Sequence, residues 1–149
     1  MTLAALTLLT AITTPAQADP VDLTLSGGAT TVMGNAAAFA ELDVRPLSAL
    51  SFATTVGSDA SYVSVHEAIR LHPLKSRTFD PYLGATLGIW PGMYDDGPLF
   101  LTPGLQLGLQ SQIGEHLVIG GDVEADMWTN PASDLPLVAL ARLRVGWKF

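Results

Sequence analysis

Residues 137–149 read Leu-Val-Ala-Leu-Ala-Arg-Leu-Arg-Val-Gly-Trp-Lys-Phe, and this stretch decides the fold of the chain. Side chains on a β-strand alternate between two faces, so every second residue of the stretch shares a face. One face is apolar throughout and finishes in Trp147 and Phe149. The other face carries three cations, Arg142, Arg144 and Lys148. The stretch therefore predicts a β-strand with an apolar environment on one side and a charged environment on the other.

The composition indicates that strands, not helices, carry the apolar surface. Of the 149 residues, 48% are hydrophobic and only 14% are charged, whereas soluble domains contain about 25% charged residues. Beyond the N-terminal region, no stretch approaches the ~18 consecutive apolar residues of a membrane-spanning helix. High apolarity that is dispersed in alternation is typical of membrane strands. The length is sufficient for one domain.

The cysteine count and the net charge exclude some functions. The chain contains no cysteine, which excludes a disulfide framework and a cysteine-based metal site. Its formal net charge is −7. This charge argues against nucleic-acid binding, which requires a basic surface.

The first 18 residues fit a secretory signal peptide. A short apolar segment, Leu3–Ile12, is followed by Pro15 and by Ala16-Gln17-Ala18, which matches the small-x-small cleavage rule. The basic start of such a signal is missing, so an apolar N-terminal helix of the mature protein is the alternative. We predict a signal peptide over residues 1–18 and one domain over residues 19–149.

Turn-forming clusters of Gly, Asn, Asp and Pro divide this domain into eight strand candidates. Each candidate reaches the ~9–11 residues that a tilted membrane strand requires. The candidates are Val21–Met33, Ala36–Arg45, Leu47–Val56, Ser61–His72, Pro81–Trp90, Leu99–Ile113, Leu117–Trp128 and Leu137–Phe149.

The contrast between the two faces of these candidates predicts the fold class. In the sixth candidate, five leucines from Leu99 to Leu109 share one face, opposite mainly Gly, Thr and Gln. In water, eight such apolar faces would exceed the few hundred Å² of apolar patch that soluble monomers tolerate. In lipid they are correctly solvated, and a closed barrel leaves no strand edge unpaired. We therefore predict an all-β, antiparallel, up-and-down, eight-stranded transmembrane β-barrel, with a soluble β-sandwich or lipocalin-type barrel as the alternative.

The signal-like start, the eight candidates and the Trp-Lys-Phe end resemble the small outer-membrane β-barrels of the OmpA, OmpX and OmpW kind. Asp80–Trp90 is similar to the strand that follows a turn in many of them. The resemblance implies location in the outer membrane, with Trp147 and Phe149 at the periplasmic interface. It also implies outer-membrane lipid and lipopolysaccharide as surroundings, the barrel-assembly machinery as a partner of the C-terminal strand, and a monomer. The first outward loop, Gly34-Asn35, is shorter than is usual in this family, which argues against an adhesive role for the loops.

Parity places a nearly balanced set of charges inside the barrel. The last hairpin sets Asp122 or Glu124 opposite Arg142, within salt-bridge reach. The predicted interior charge network is Asp22, Glu41, Asp43, Arg70, Asp122, Glu124, Asp126, Arg142, Arg144 and Lys148, with Arg45 on the same face. Because an eight-stranded barrel is only just wide enough for its own side chains, we predict a salt-bridged plug. A narrow channel for small solutes or ions is the alternative.

No catalytic residue, metal site or cofactor is predicted. Ser64 and His66 share a face, but same-face neighbours lie ~6.6 Å apart along a strand, which is loose for a Ser–His pair. His66 and His72 lie ~20 Å apart along the strand and cannot share a metal ion. Asp95 and Asp96 offer too few oxygens for calcium. We expect a structural or interaction role, and a lipid-modifying outer-membrane enzyme is the second alternative.

Two features fit the barrel pattern less well. Parity turns Tyr82, Trp90 and Trp128 inward, away from an aromatic girdle at the membrane interface. Parity also turns Glu67 outward, where a bulge or a position near the interface would remove the cost of the charge.

Overall fold

The computed structural model describes residues 21–32, 35–58, 63–74, 78–90, 99–128 and 137–149. Within these ranges, no helix is long and apolar enough to span a bilayer. The elements are β1 (Asp22–Val32), β2 (Asn35–Leu47), β3 (Leu50–Ser58), β4 (Val63–Leu71), β5 (Asp80–Trp90), β6 (Phe100–Ile113), β7 (Leu117–Met127) and β8 (Leu137–Lys148).

The eight strands form one closed antiparallel barrel in which each strand pairs with its neighbours in sequence. β8 returns to β1 and closes the barrel, with Thr24 opposite Lys148 and Thr30 opposite Arg142. The predicted all-β, antiparallel, up-and-down barrel of eight strands is confirmed. The end of the barrel where β1 begins and β8 ends is called the terminal end below, and the opposite end is called the distal end.

The predicted signal peptide over residues 1–18 lies outside the described residues, as do Gly34 and the acidic pair Asp95 and Asp96. The division of the chain after residue 18 therefore stays a prediction.

The boundary between β2 and β3 differs from its prediction. The sequence predicts a turn around Pro46, but β2 continues to Leu47 and the turn falls at residues 48–49. The pairing register of β2 with β3 shifts between Val44 and Leu47. At such an irregularity a proline, which has no N–H group, costs no ladder hydrogen bond. β3 consequently begins later than predicted, at Leu50.

The two faces of the sheet differ in polarity as the sequence pattern predicts. Outward side chains are apolar and exposed, and Leu105 and Leu143 are 64% and 73% exposed. Inward side chains are buried and largely polar, with carboxylates and arginines among them. A single closed sheet excludes the sandwich, and an apolar exterior around a polar interior is the reverse of a lipocalin-type barrel.

Glu67 is the exception on the outward face. It lies at the centre of β4, and its pairing with Thr54 on β3 and Leu87 on β5 continues in register on both sides. The prediction that a bulge or a position near the interface removes the cost of the Glu67 charge is therefore wrong. Instead, the Thr54 hydroxyl donates a 2.9 Å hydrogen bond to the Glu67 carboxylate, which satisfies one of its acceptor sites.

The seam between β1 and β8 depends on a glycine. A Cβ atom at Gly28 would overlap the carbonyl oxygen of Leu143 on β8. At the neighbouring Gly27, a Cβ would lie 3.3 Å from the carbonyl oxygen of Phe39, which a small shift relieves. Gly28 therefore permits the close approach of the first and last strands.

We expect Gly28→Ala to destabilise the closed barrel, because the added methyl group pushes β1 away from β8. Overpacking of this kind costs roughly 1–3 kcal/mol, so the urea midpoint of unfolding, followed by tryptophan fluorescence, should fall. Gly27→Ala is the matched control and should unfold closer to the wild-type midpoint. Equal midpoints for the two variants would show that the seam is not constrained at Gly28.

Candidate functional site

The barrel interior is the candidate site because it concentrates the buried charged side chains. An unpaired buried charge is strongly destabilising, so the contacts among these groups determine what the interior can do. The buried carboxylates are Glu41, Asp43, Asp80, Asp122, Glu124 and Asp126, the buried arginines are Arg70, Arg142 and Arg144, and the buried histidines are His66 and His72.

Glu41 occupies the centre of this interior. Its two carboxylate oxygens meet different cations: Arg70 Nη2 lies 2.6 Å from Oε2, and Arg144 Nη1 lies 2.5 Å from Oε1. Thr55 donates a further hydrogen bond of 3.0 Å to Oε2. Arg70 also reaches Asp43, with an Nη1–Oδ2 distance of 2.8 Å. One carboxylate from β2 thus joins side chains of β3, β4 and β8 across the lumen.

Arg142 pairs with two acids of the neighbouring strand. The antiparallel register places Asp122 directly opposite Arg142, and Nε of the arginine lies 2.9 Å from Oδ1 of the aspartate. Nη2 of the same guanidinium contacts Oε2 of Glu124. Arg144 lies 3.7 Å from the other oxygen of Asp122. The sequence offers Asp122 or Glu124 as the partner of Arg142, and the structure places both against it.

Tyr82 fills the space between two of the arginines. The guanidinium carbons of Arg70 and Arg144 lie 4.9 and 5.2 Å from its ring centroid, within cation–π range. Its hydroxyl donates to Asp122 at 2.9 Å and accepts from Arg144 at 2.9 Å. Gly108 on β6 makes room for the ring, since a Cβ atom there would overlap it. The inward position of this tyrosine is therefore part of the packing of the charge network.

A second network lies at the terminal end, and the sequence does not predict it. Arg45 Nη1 lies 2.6 Å from Oδ2 of Asp80, and His72 Nδ1 lies 3.1 Å from Oδ1 of the same carboxylate. Nε2 of His72 lies 3.0 Å from the Ser51 hydroxyl oxygen. The fifth strand candidate begins at Pro81 and leaves Asp80 in the preceding turn, but Asp80 begins β5 and is buried. The interior therefore contains an acid that the predicted network omits.

The contacts run from the Ser51 hydroxyl to Nε2 of His72 and from Nδ1 of His72 to Asp80, as they do in a Ser-His-Asp hydrolase triad. Ser51, however, is 0% exposed, and its hydroxyl also lies 3.1 Å from a carboxylate oxygen of Asp43. A nucleophile needs space for an acyl substrate beside it. The contacts therefore form a buried hydrogen-bonded chain that joins β2, β3 and β5 through His72, the residue that follows β4.

The outermost pair of the network lies at the rim of the terminal end. Lys148 Nζ is 2.5 Å from Oδ2 of Asp22, and both side chains are partly exposed. Trp147 stacks on the imidazole of His116, with ring centroids 5.0 Å apart. Trp147 and Phe149 are both exposed, so the aromatics at the end of β8 stay on the outer surface of the barrel.

Apolar side chains close the distal end of the lumen. Trp90, Val138 and Leu140 form a buried cluster against which Phe100 and Trp128 pack. The ring centroids of Trp90 and Trp128 lie 5.8 Å apart, and those of Phe100 and Trp128 lie 5.4 Å apart. We call these five residues the apolar cap. The inward tryptophans that fit a girdle poorly thus cover the charged interior.

His66 contacts the apolar cap and two acids of β7. Its ring meets Trp90 edge-on, with centroids 5.3 Å apart. Nδ1 lies 3.0 Å from Oε1 of Glu124 and 3.7 Å from Oδ2 of Asp126. The three ligand atoms all lie within 4.8 Å of one another, which is close enough for one metal ion. The sequence analysis considers His66 as a partner of Ser64 and of His72 only, because spacing along a strand does not reveal partners across the lumen.

No protein-family model and no curated protein matches the chain. Solved structures do match it. The N-terminal β-barrel domain of Pseudomonas aeruginosa OprF is 12% identical over 86% of this chain and 97% of that one, with a TM-score of 0.69. The de novo designed protein TMB2.3 is 14% identical over 91% and 97%, with a TM-score of 0.54. Ail of Yersinia pestis, solved with the heparin analogue sucrose octasulfate, is 14% identical over 87% and 99%, with a TM-score of 0.52.

At these identities the likeness shows the fold alone. That fold is the eight-stranded barrel of small outer-membrane proteins, which the sequence pattern also predicts.

We expect Glu41→Gln to destabilise the barrel strongly, because Arg70 and Arg144 lose the negative charge that they share. Breaking a buried pair from one side costs about 3–5 kcal/mol. Asp22→Asn is the matched control, since its partly exposed pair with Lys148 is worth roughly 1 kcal/mol or less. Urea unfolding followed by tryptophan fluorescence measures both. A Glu41→Gln midpoint no lower than that of Asp22→Asn would contradict the central position of Glu41.

Proposed function

We propose that the chain is an integral outer-membrane β-barrel protein with a salt-bridged plug in its lumen, and that its role is structural or interactive, without catalysis or solute transport. The contacts of Glu41 with both Arg70 and Arg144 carry this proposal. An eight-stranded barrel is only just wide enough for its own side chains. A layer of paired charges that reaches across the lumen therefore blocks a continuous water path.

The exterior of the barrel supports a location in lipid. Exposed leucines, valines and isoleucines cover the outward faces of the described strands. In water such a surface favours aggregation. In a bilayer it is solvated by acyl chains, and the closed sheet pairs its own backbone groups. The fold likeness to the OprF and Ail barrels supports the outer membrane as that bilayer.

The location implies particular surroundings and partners. Outer-membrane lipid and lipopolysaccharide would contact the outward faces, and the barrel-assembly machinery would act on β8 during insertion. The terminal end would face the periplasm, where the exposed Trp147 and Phe149 suit the interface. Export would depend on the predicted signal peptide over residues 1–18. We propose a monomer, since the barrel closes on itself.

The burial of the serines supports a role without catalysis. Ser51 contacts His72, and Ser64 shares the inward face of β4 with His66. Both serines are buried. A lipid-modifying enzyme needs its nucleophile at a surface that acyl chains can reach.

We expect Leu105→Arg to impair insertion into lipid vesicles, because Leu105 lies on the outward face of β6 and is highly exposed. An arginine on the lipid face at the bilayer midplane costs about 2–4 kcal/mol. Glu115→Arg, in the turn between β6 and β7, is the matched control and should insert like the wild type. The measurement is the fraction of protein that migrates as the folded form in unboiled gels. Unimpaired folding of Leu105→Arg without detergent would instead show that this face contacts water.

The plug predicts that the refolded barrel does not conduct ions. We expect planar bilayers that contain the wild-type protein to show no stable openings. Stable openings whose amplitude changes in Arg142→Ala or Asp122→Ala, but not in Glu115→Ala, would overturn the plug. Such a result would favour a narrow channel lined by the charge network.

A further inference from the structure

The charges inside the barrel do not balance. Six buried carboxylates face three buried arginines, and Arg45 adds a fourth cation through its contact with Asp80. Within the described interior, two carboxylates are therefore left without a guanidinium of their own. Asp126 is one of them: its ionic contact is with His66, and no arginine or lysine of the described residues lies within 4.0 Å of it. One of the two surplus negative charges therefore lies on Asp126, beneath the apolar cap.

We propose that His66, Glu124 and Asp126 bind one divalent transition-metal ion in the distal half of the lumen, with Zn²⁺ as the best chemical match. The donor atoms are one imidazole nitrogen and two carboxylate oxygens. Imidazole favours Zn²⁺ and its neighbours over Mg²⁺ and Ca²⁺, which prefer all-oxygen sites. Three protein ligands leave a fourth position for water. The ion supplies the positive charge that the arginines do not.

The distances suit a tetrahedral ion. Zn²⁺ lies ~2.0–2.2 Å from each nitrogen or oxygen ligand, which separates the ligand atoms from one another by roughly 3.4 Å. The separations of His66 Nδ1 from Glu124 Oε1 and from Asp126 Oδ2 are 3.0 and 3.7 Å. All three ligand atoms lie within 4.8 Å of one another. Small side-chain rotations therefore complete the site on a rigid sheet.

Other side chains hold the two carboxylates in place. Thr102 donates a 3.1 Å hydrogen bond to Oδ2 of Asp126, and its own hydroxyl oxygen accepts from Trp90 Nε1 at 3.0 Å. Arg142 forms an ion pair with Oε2 of Glu124, whereas His66 lies against Oε1. Carboxylates that bind metals are usually oriented by hydrogen bonds such as the one from Thr102. The cluster therefore has outer contacts as well as ligands.

The imidazole of His66 provides an independent observation. The residue is only 3% exposed, and Nε2 has no hydrogen-bond partner in the described part of the chain. The polar contacts of the ring thus point toward Glu124 and Asp126 alone. A neutral imidazole has one proton to donate and two carboxylates to satisfy. An ion at Nδ1 meets both carboxylates at once, and the single imidazole proton then lies on Nε2, which faces no acceptor among the described residues.

Zn²⁺ alone is the probe in the experiment that tests this site. The refolded full chain is stripped with EDTA and titrated with Zn²⁺ against a chromophoric chelator, and bound metal is counted by mass spectrometry. Because the apolar cap covers the cluster, Zn²⁺ is added to the folded barrel in one arm and during refolding in the other. We expect one ion per chain by at least one route and a higher urea midpoint, since the ion binds the folded state.

Variants locate the bound ion. Asp126→Asn and His66→Gln should each weaken Zn²⁺ binding at least about 10-fold, and Thr102→Val should weaken it by roughly 10–100-fold through Asp126. His72→Gln is the matched control, a buried histidine in the same barrel that pairs with Asp80, and it should bind Zn²⁺ like the wild type. Unboiled gels verify that each variant is folded.

Two results would overturn the proposal. One is the absence of stoichiometric Zn²⁺ binding to the wild type by either route. The other is binding that persists in Asp126→Asn, His66→Gln and Thr102→Val and disappears in His116→Gln, because His116 is exposed beside Glu115 and would then be the site.

Discussion

The narrow lumen forces every charged side chain inside it to meet another one. An eight-stranded barrel has no room for bulk water among its inward side chains, and an isolated charge in such an interior is strongly destabilising. Glu41 shows the consequence, because Arg70 and Arg144 converge on its two oxygens from different strands. These ion pairs also fix the register in which the strands pair. A slip by one residue would turn each charge to the outer surface and break its contacts.

The alternation of side chains between the two faces of a strand predicts much of this arrangement, because it can be read within each strand of the sequence. Parity predicts which side chains face the lumen, and the antiparallel hairpin then predicts that Asp122 or Glu124 lies opposite Arg142; the register places Asp122 there. Contacts across the lumen are different, since they depend on the tilt and stagger of the closed barrel. No local pattern relates Arg144 to Glu41, or His66 to Asp126. The candidate metal site depends on such a contact, because His66 of β4 reaches Glu124 and Asp126 of β7 across the lumen, which is why the sequence offers no metal ligand.

Proline accounts for the clearest errors of the sequence-based prediction. Pro46 and the Asp80-Pro81 pair are both typical of turns, yet the first lies in β2 and the second begins β5. The sheet accommodates the missing N–H group in both cases. Pro46 lies at a shift of register between β2 and β3, and Pro81 lies at the start of β5. The consequence is larger at Asp80. Once it is counted as interior, the balance of acids and bases that parity suggests becomes a surplus of acid.

The position of a carboxylate along the barrel axis determines how much its negative charge destabilises the interior. At the terminal rim, Asp22 and Lys148 are partly exposed, so solvent weakens their attraction and also lowers the cost of separating them. Beneath the apolar cap, Asp126 is fully buried, and its polar partners among the described residues are two hydroxyls and an imidazole. A carboxylate at the terminal end is therefore stabilised by solvent, whereas a carboxylate beneath the apolar cap requires a cation. An apolar cap over an acidic cluster favours a bound ion because the cap that excludes water also removes the solvent that would otherwise stabilise the charge.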